Sequence, residues 1–138
     1  MNPVVHFEMP YENRERMVKF YQSAFSWQTQ LLGEEMGNYV IATTTESDEN
    51  GPKESGCING GFSNKRLPDA NAHPSFVIAV DDIKESIKKI TNAGGKILGK
   101  SMDIPGVGMS AWFVDTEGNR LSILLQPLHN MSVRPKSE

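Results

Sequence analysis

Val4-Val5-His6-Phe7-Glu8-Met9, running into a helical pattern that ends at Trp27, is echoed by Ser75-Phe76-Val77-Ile78-Ala79-Val80 and a second helical pattern that ends at Ala93. Two like modules in tandem can pair about a pseudo-twofold axis. That arrangement places equivalent strand positions on either side of one cleft, where a functional site is expected. Side chains alternate along a strand, so Val5, Phe7 and Met9 share one face of the first strand while His6 and Glu8 share the other. The apolar face calls for a helix against it, and the polar face needs another destination.

The helix follows at once. Met17, Phe20, Tyr21, Ala24 and Phe25 recur at the spacing of a buried stripe, and Asn13 is a reasonable N-cap. Residues 27–32, 38–45 and 56–62 read as three strands, the middle one rich in the β-branched and aromatic residues that pleated surfaces favour. Between the last two lies Glu46 to Glu54, a polar hairpin loop long for its type. Residues 63–74, with Pro68, Asp69, Asn71 and Pro74, have linker composition.

The second module opens on the strand 75–80. Asp82 with Glu85 resembles a capping box, Ile83, Ile87 and Ile90 form the buried stripe of its helix, and Gly94-Gly95 stop it. Residues 96–102, 109–114 and 120–125 complete three more strands. The last two are joined by Asp115-Thr116-Glu117-Gly118-Asn119, whose glycine suits a tight hairpin. The reading is an α+β fold, two βαβββ modules in tandem, paired into a curved mixed sheet around a cleft. It forms one domain over residues 1–126, with module one at 4–62, a linker at 63–74, module two at 75–126 and a polar tail at 127–138. Alternation places His6, Glu8, Cys57, Asn59, Ser75, Val77, Ser122 and Leu124 on the open faces, with Ser110 and Trp112 joining them.

Composition narrows the class of function. The chain has 138 residues, 38% hydrophobic and 22% charged, with a formal net charge of −3. No apolar run approaches the roughly 20 residues of a spanning helix, the first residues lack the pattern of a secretory signal, and a cytoplasmic location is the expectation. The basic residues are dispersed, which argues against nucleic acid. Cys57 is the single cysteine, so neither an intrachain disulfide nor a cysteine-rich zinc site is available. A nucleophile elbow is absent, and Asn59-Gly60-Gly61 ends a strand with no helix following, which excludes a phosphate loop.

The order of these marks resembles the vicinal oxygen chelate superfamily of glyoxalases, bleomycin resistance proteins and extradiol dioxygenases. They are His6 on a first strand, Phe20-Tyr21 with Ala24-Phe25-Ser26-Trp27, Val80-Asp81-Asp82 before the second helix, and the Asp115–Asn119 hairpin. The resemblance covers residues 4 to 126 and is similar in particular to a bacterial glyoxalase-like group whose first strand reads HFE-(I/M)-P. It implies metal ligands, usually His and Glu, at the first, fourth, fifth and last strands. His6 fits the first; Cys57 or Asn59 would stand at the second, Ser75 at the third and Ser122 at the fourth. Serine hydroxyls are poor ligands beside imidazole and carboxylate.

Two functions follow as expectations. The first is binding of a small organic molecule in a metal-free or metal-poor cleft, with Val77, Trp112 and Leu124 as apolar wall and His6, Glu8, Cys57, Asn59, Ser75 and Ser122 as the polar and remaining contacts. The alternative is a lyase, isomerase or dioxygenase of the glyoxalase I type, with His6 and Glu8 as catalytic groups or His6 ligating nickel, zinc, manganese or iron. The resemblance also implies a homodimer, and neither reading involves nucleic acid or a membrane.

Overall fold

The computed structural model describes residues 1–104 and 108–125; the tail at 127–138 lies outside them. The chain is α+β, built from two βαβββ modules. Contacts divide it into two compact units, residues 6–75 and residues 1–5 with 76 onward. The first residues join the second unit through the Ala79 N–H, which donates to the Pro3 carbonyl at 2.9 Å.

Module one runs β1 (Val4–Tyr11), α1 (Arg14–Phe25), β2 (Gln28–Leu31), β3 (Val40–Thr43), a small hairpin of β4 (Ser47–Asp48) and β5 (Gly51–Pro52), then β6 (Asn59–Asn64). β1 lies parallel to β6, while β3 is antiparallel to both β6 and β2. The loop expected at 46–54 therefore contains the β4–β5 hairpin. The strand expected at 56–62 starts at Asn59 and continues through Ser63 and Asn64, which leaves Cys57 in the preceding loop.

The core of this module gathers Tyr11, Val40, Ala42 and Phe62, with Phe7, Met9, Met17, Val18, Tyr21 and Trp27 packed around them. Asn13 caps α1 as expected, its Oδ1 accepting from the Arg16 N–H at 3.0 Å. The expected buried stripe is corrected: no residue of α1 is fully buried, Met17 and Tyr21 are half-buried, and Phe20, Ala24 and Phe25 are exposed. Ser26 turns the chain into the left-handed region at φ 61°, and the Trp27 indole folds back to stack on Tyr21 with centroids 4.7 Å apart.

Module two runs β7 (Ser75–Val80), α2 (Ile83–Asn92), β8 (Lys96–Ile104), β9 (Gly108–Val114) and β10 (Arg120–Leu125). It repeats the first pattern, with β10 parallel to β7 and antiparallel to β9, and β9 antiparallel to β8. Val80, Ile83, Ala111, Phe113 and Ile123 form its core, with Ile87 and Ile90 packed against it. The Asp82 carboxylate accepts from the Glu85 N–H at 3.0 Å and starts α2. The Asp115 side chain closes the last hairpin, accepting from the N–H groups of Glu117 at 2.8 Å and Asn119 at 2.9 Å. Among the described residues no helix is long and apolar enough to cross a membrane.

Candidate functional site

Helix caps align the two modules residue by residue. Glu8 and Val77 each lie five positions before their N-cap, Asn13 and Asp82, so His6 corresponds to Ser75 and Glu8 to Val77. Across the parallel pairs, Glu8 is in register with Gly61 and Val77 with Ser122. Gly61 is therefore the module-one counterpart of Ser122, a place the sequence reading gives to Cys57 or Asn59.

The open face of module one carries His6 and Glu8 on β1, Asn59 and Gly61 on β6, and Ile41 and Thr43 on β3, opposite the core positions Phe7, Phe62, Val40 and Ala42. Gly60 and Gly61 point to opposite faces, and each leaves room for an aromatic ring. A Cβ on Gly60 would overlap the Phe7 ring on the helix side, and one on Gly61 would overlap the ring and hydroxyl of Tyr39 on the open side. Tyr39, just before β3, crosses the bare strand at Gly61, and its O–H donates to the Glu8 Oε1 at 3.3 Å. Tyr39 is the site residue that the sequence reading missed.

Burial sets the electrostatics of this face. Desolvation pushes the Glu8 carboxyl above its ordinary value, with the Tyr39 hydrogen bond opposing it in part. Desolvation also pulls the His6 imidazole below its ordinary value, and it raises the Tyr39 phenol together with the neighbouring Glu8 charge. All three shifts favour the uncharged forms. The ion pairs of Glu12, Glu46 and Glu85 lie elsewhere, on exposed carboxylates.

Asn59 shares the face, but its amide is committed to the chain. Its Oδ1 accepts from the Thr44 N–H at 2.9 Å and its Nδ2 donates to the Ser47 hydroxyl at 2.8 Å, tying β6 to the β4–β5 hairpin. In module two, Val77, Ser122 and Trp112 are in register on the open face, with Leu124 two residues along β10. Ser75 and Ser122 are both buried. The Arg120 guanidinium lies over the Trp112 indole, 4.7 Å from its centroid.

The four positions implied for metal thus hold His6, Gly61, Ser75 and Ser122: one imidazole, one missing side chain and two neutral hydroxyls. Among the described residues no three His, Cys, Asp or Glu side chains come together. That donor set does not fit a divalent ion, which takes imidazole, thiolate or carboxylate.

A family model for the glyoxalase, bleomycin resistance protein and dioxygenase superfamily matches residues 4–123. The chain belongs to that superfamily. A glyoxylase-like domain-containing protein from Didymella fabae is 32% identical over 122 residues, spanning 87% of this chain and 91% of the relative. A hypothetical protein from Bacillus halodurans has the same fold at TM-score 0.67 and 12% identity, covering 91% of this chain and 95% of its own. Methylmalonyl-CoA epimerase from Mycobacterium tuberculosis is similar in fold at TM-score 0.65 and 7% identity, with 94% and 91% covered.

Proposed function

We propose that this protein binds a small organic molecule on the open face of module one, without a metal ion. The observation that carries the reading is the replacement of a ligand-type side chain by Gly61, with Tyr39 laid across the space and hydrogen-bonded to Glu8. A face organised in this way presents a neutral imidazole, a carboxyl and a phenol, half-buried beside apolar residues. Ligand sites commonly have that character, a few convergent polar groups set in an apolar surround. His6 and Glu8 supply the contacts, with Tyr39 as the added member.

The test is elemental analysis of the purified protein after exposure to nickel, zinc, manganese and iron(II), alongside a thermal-shift screen of small organic compounds. Expected are sub-stoichiometric metal and stabilising compounds whose effect disappears in His6→Ala. Near-stoichiometric metal that is lost in His6→Ala would refute the reading and favour a metal-dependent lyase, isomerase or dioxygenase.

A further inference from the structure

The outer strands of the two modules are protected to different degrees. In module two the outer strand is β8, which carries Lys96, Lys100 and Asp103 and is interrupted by a register shift between Leu98 and Met102. Charges and irregularities of that kind keep an edge from pairing with another chain. In module one the outer strand is β2, Gln28-Thr29-Gln30-Leu31, which pairs with β3 in unbroken register and carries neither a charge nor a proline. Only its length of 4 residues limits it as a template.

The outward groups of β2 follow from its bonds to β3. The Leu32 N–H donates to the Tyr39 carbonyl at 2.9 Å, so Leu32 bonds inward. Alternation along an antiparallel pair turns Gln28 and Gln30 the same way, and the N–H and C=O groups of Thr29 and Leu31 outward. Thr29 and Leu31 stand opposite the core residues Ala42 and Val40, which puts their side chains on the helix side and those of Gln28 and Gln30 on the open face. Leu31 is 50% exposed, and Phe25, at the end of α1 just before β2, is 60% exposed. A groove of about 500 Å³ lined by Gln22, Ser26, Trp27, Gln28 and Thr29 runs beside them. Outward main-chain groups and uncovered apolar side chains thus meet at one edge.

The occupant that suits this edge is a second copy of the chain. Pairing about a twofold axis sets residues of one edge against the same residues of its mate, so an edge that binds itself must avoid like charges. β2 meets that condition, whereas β8 would bring its lysines together. With Gln30 on the axis, Thr29 of one copy lies opposite Leu31 of the other, and the two exchange main-chain hydrogen bonds at both such pairs. The two Gln30 amides, each a donor and an acceptor, face one another on the open side. On the helix side, Leu31 of each copy is set against Thr29 and the groove of the other.

We propose that β2 is a self-association edge through which two copies of this chain pair antiparallel, with Gln30 at the twofold axis. The contact is small, and the dimer is a reversible one with a dissociation constant on the order of tens of micromolar. It stands apart from the reading of module one as a small-molecule site, whose ligand contacts lie on β1.

Sedimentation equilibrium of the full chain from micromolar to millimolar concentration tests it. The parent should show a reversible monomer–dimer equilibrium. Gln30→Lys and Gln30→Glu each set like charges across the axis and should weaken self-association by about tenfold or more, while an equimolar mixture of the two should pair at least as tightly as the parent. Thr29→Pro removes an N–H that points away from β3 and should weaken the dimer by a similar factor. Thermal midpoints report whether each variant is folded, and the exposed Gln30 position keeps the test decisive if the proline variant is not. A parent that stays monomeric throughout would overturn the proposal, as would a dimer that the Gln30 variants leave unchanged. Monomeric Gln30 variants that fail to pair when mixed would overturn the placement of Gln30 on the axis.

Discussion

Gly61→Ala is the sharpest perturbation of this site, because the substitution adds one carbon and the structure says what it strikes. Gly61 is absent from the positive-φ glycines, so alanine is conformationally acceptable there and the effect is one of space. The new Cβ would overlap the Tyr39 ring and hydroxyl, and the phenol must move off the strand. Overpacking of this kind costs about 1–3 kcal/mol. Loss of the Tyr39–Glu8 hydrogen bond adds about 0.5 kcal/mol, at the low end because the contact is long at 3.3 Å. Restricting the unfolded chain returns about 0.4–1 kcal/mol. The net expectation is a destabilisation of about 0.5–3 kcal/mol, read as a fall of roughly 2–10 °C in the thermal midpoint. Tyr39→Ala removes the obstacle, so in that background Gly61→Ala should cost almost nothing. Denaturant unfolding of the four proteins in the double-mutant cycle measures the difference as a coupling of about 1 kcal/mol or more. Strict additivity, or a Gly61→Ala protein as stable as the parent, would refute the placement of Tyr39 across Gly61.

The pH dependence of stability separates Glu8 from His6. Burial raises the Glu8 carboxyl in the folded state, so the folded protein holds its proton to higher pH than the unfolded chain, and stability is lost as pH rises from about 4.5 through the folded value. Glu8→Gln removes that loss; its thermal midpoint relative to the parent should improve on going from pH 4 to pH 7, and a constant difference across that range would contradict the assignment. His6 acts with the opposite sign, because its lowered folded value makes the unfolded chain the better proton binder below about pH 6.5, and His6→Gln should blunt the fall in stability between pH 6.5 and 5. Asn59→Ala breaks two hydrogen bonds that tie β6 to the Thr44–Ser47 segment and should cost about 1–3 kcal/mol. Amide exchange should accelerate at Thr44 ahead of the module-one core, and unchanged protection there would show that the side chain is not the anchor.

Local signals are where the sequence speaks most clearly. β7 and β10 fall at the expected residues, the Asn13 and Asp82 caps accept the expected N–H groups, and Asp115 closes the hairpin that its spacing predicts. Each of these is decided within a few residues of chain, so composition and period suffice. The departures all involve a partner far along the chain or a turn that redirects it. Phe20, Ala24 and Phe25 have the spacing of buried residues yet stay exposed, while Trp27, brought back by the turn at Ser26, packs on Tyr21. The start of β6 depends on pairing with β1 and β3, and that pairing puts Cys57 outside the strand.

Tyr39 shows the same limit and also what could have found it. Consecutive glycines in a strand bare both of its faces, so Gly60-Gly61 should be matched by two large side chains reaching in from neighbouring strands, one above and one below. Phe7 on β1 accounts for the helix side, which leaves an aromatic near β3 to be sought for the other; Tyr39 has the parity of Ile41 and Thr43, the open-face positions. The same logic explains why Glu8 and Gly61 belong together. In module two the registered pair is Val77 and Ser122, two small side chains, both buried. In module one the pair is a long carboxyl and no side chain at all, a combination that would leave a gap over β6 and a half-buried acid without a partner. A single phenol answers both needs, filling the volume over Gly61 with its ring and satisfying Glu8 with its hydroxyl. The acid is thereby kept on the open face of β1 and held there by a hydrogen bond.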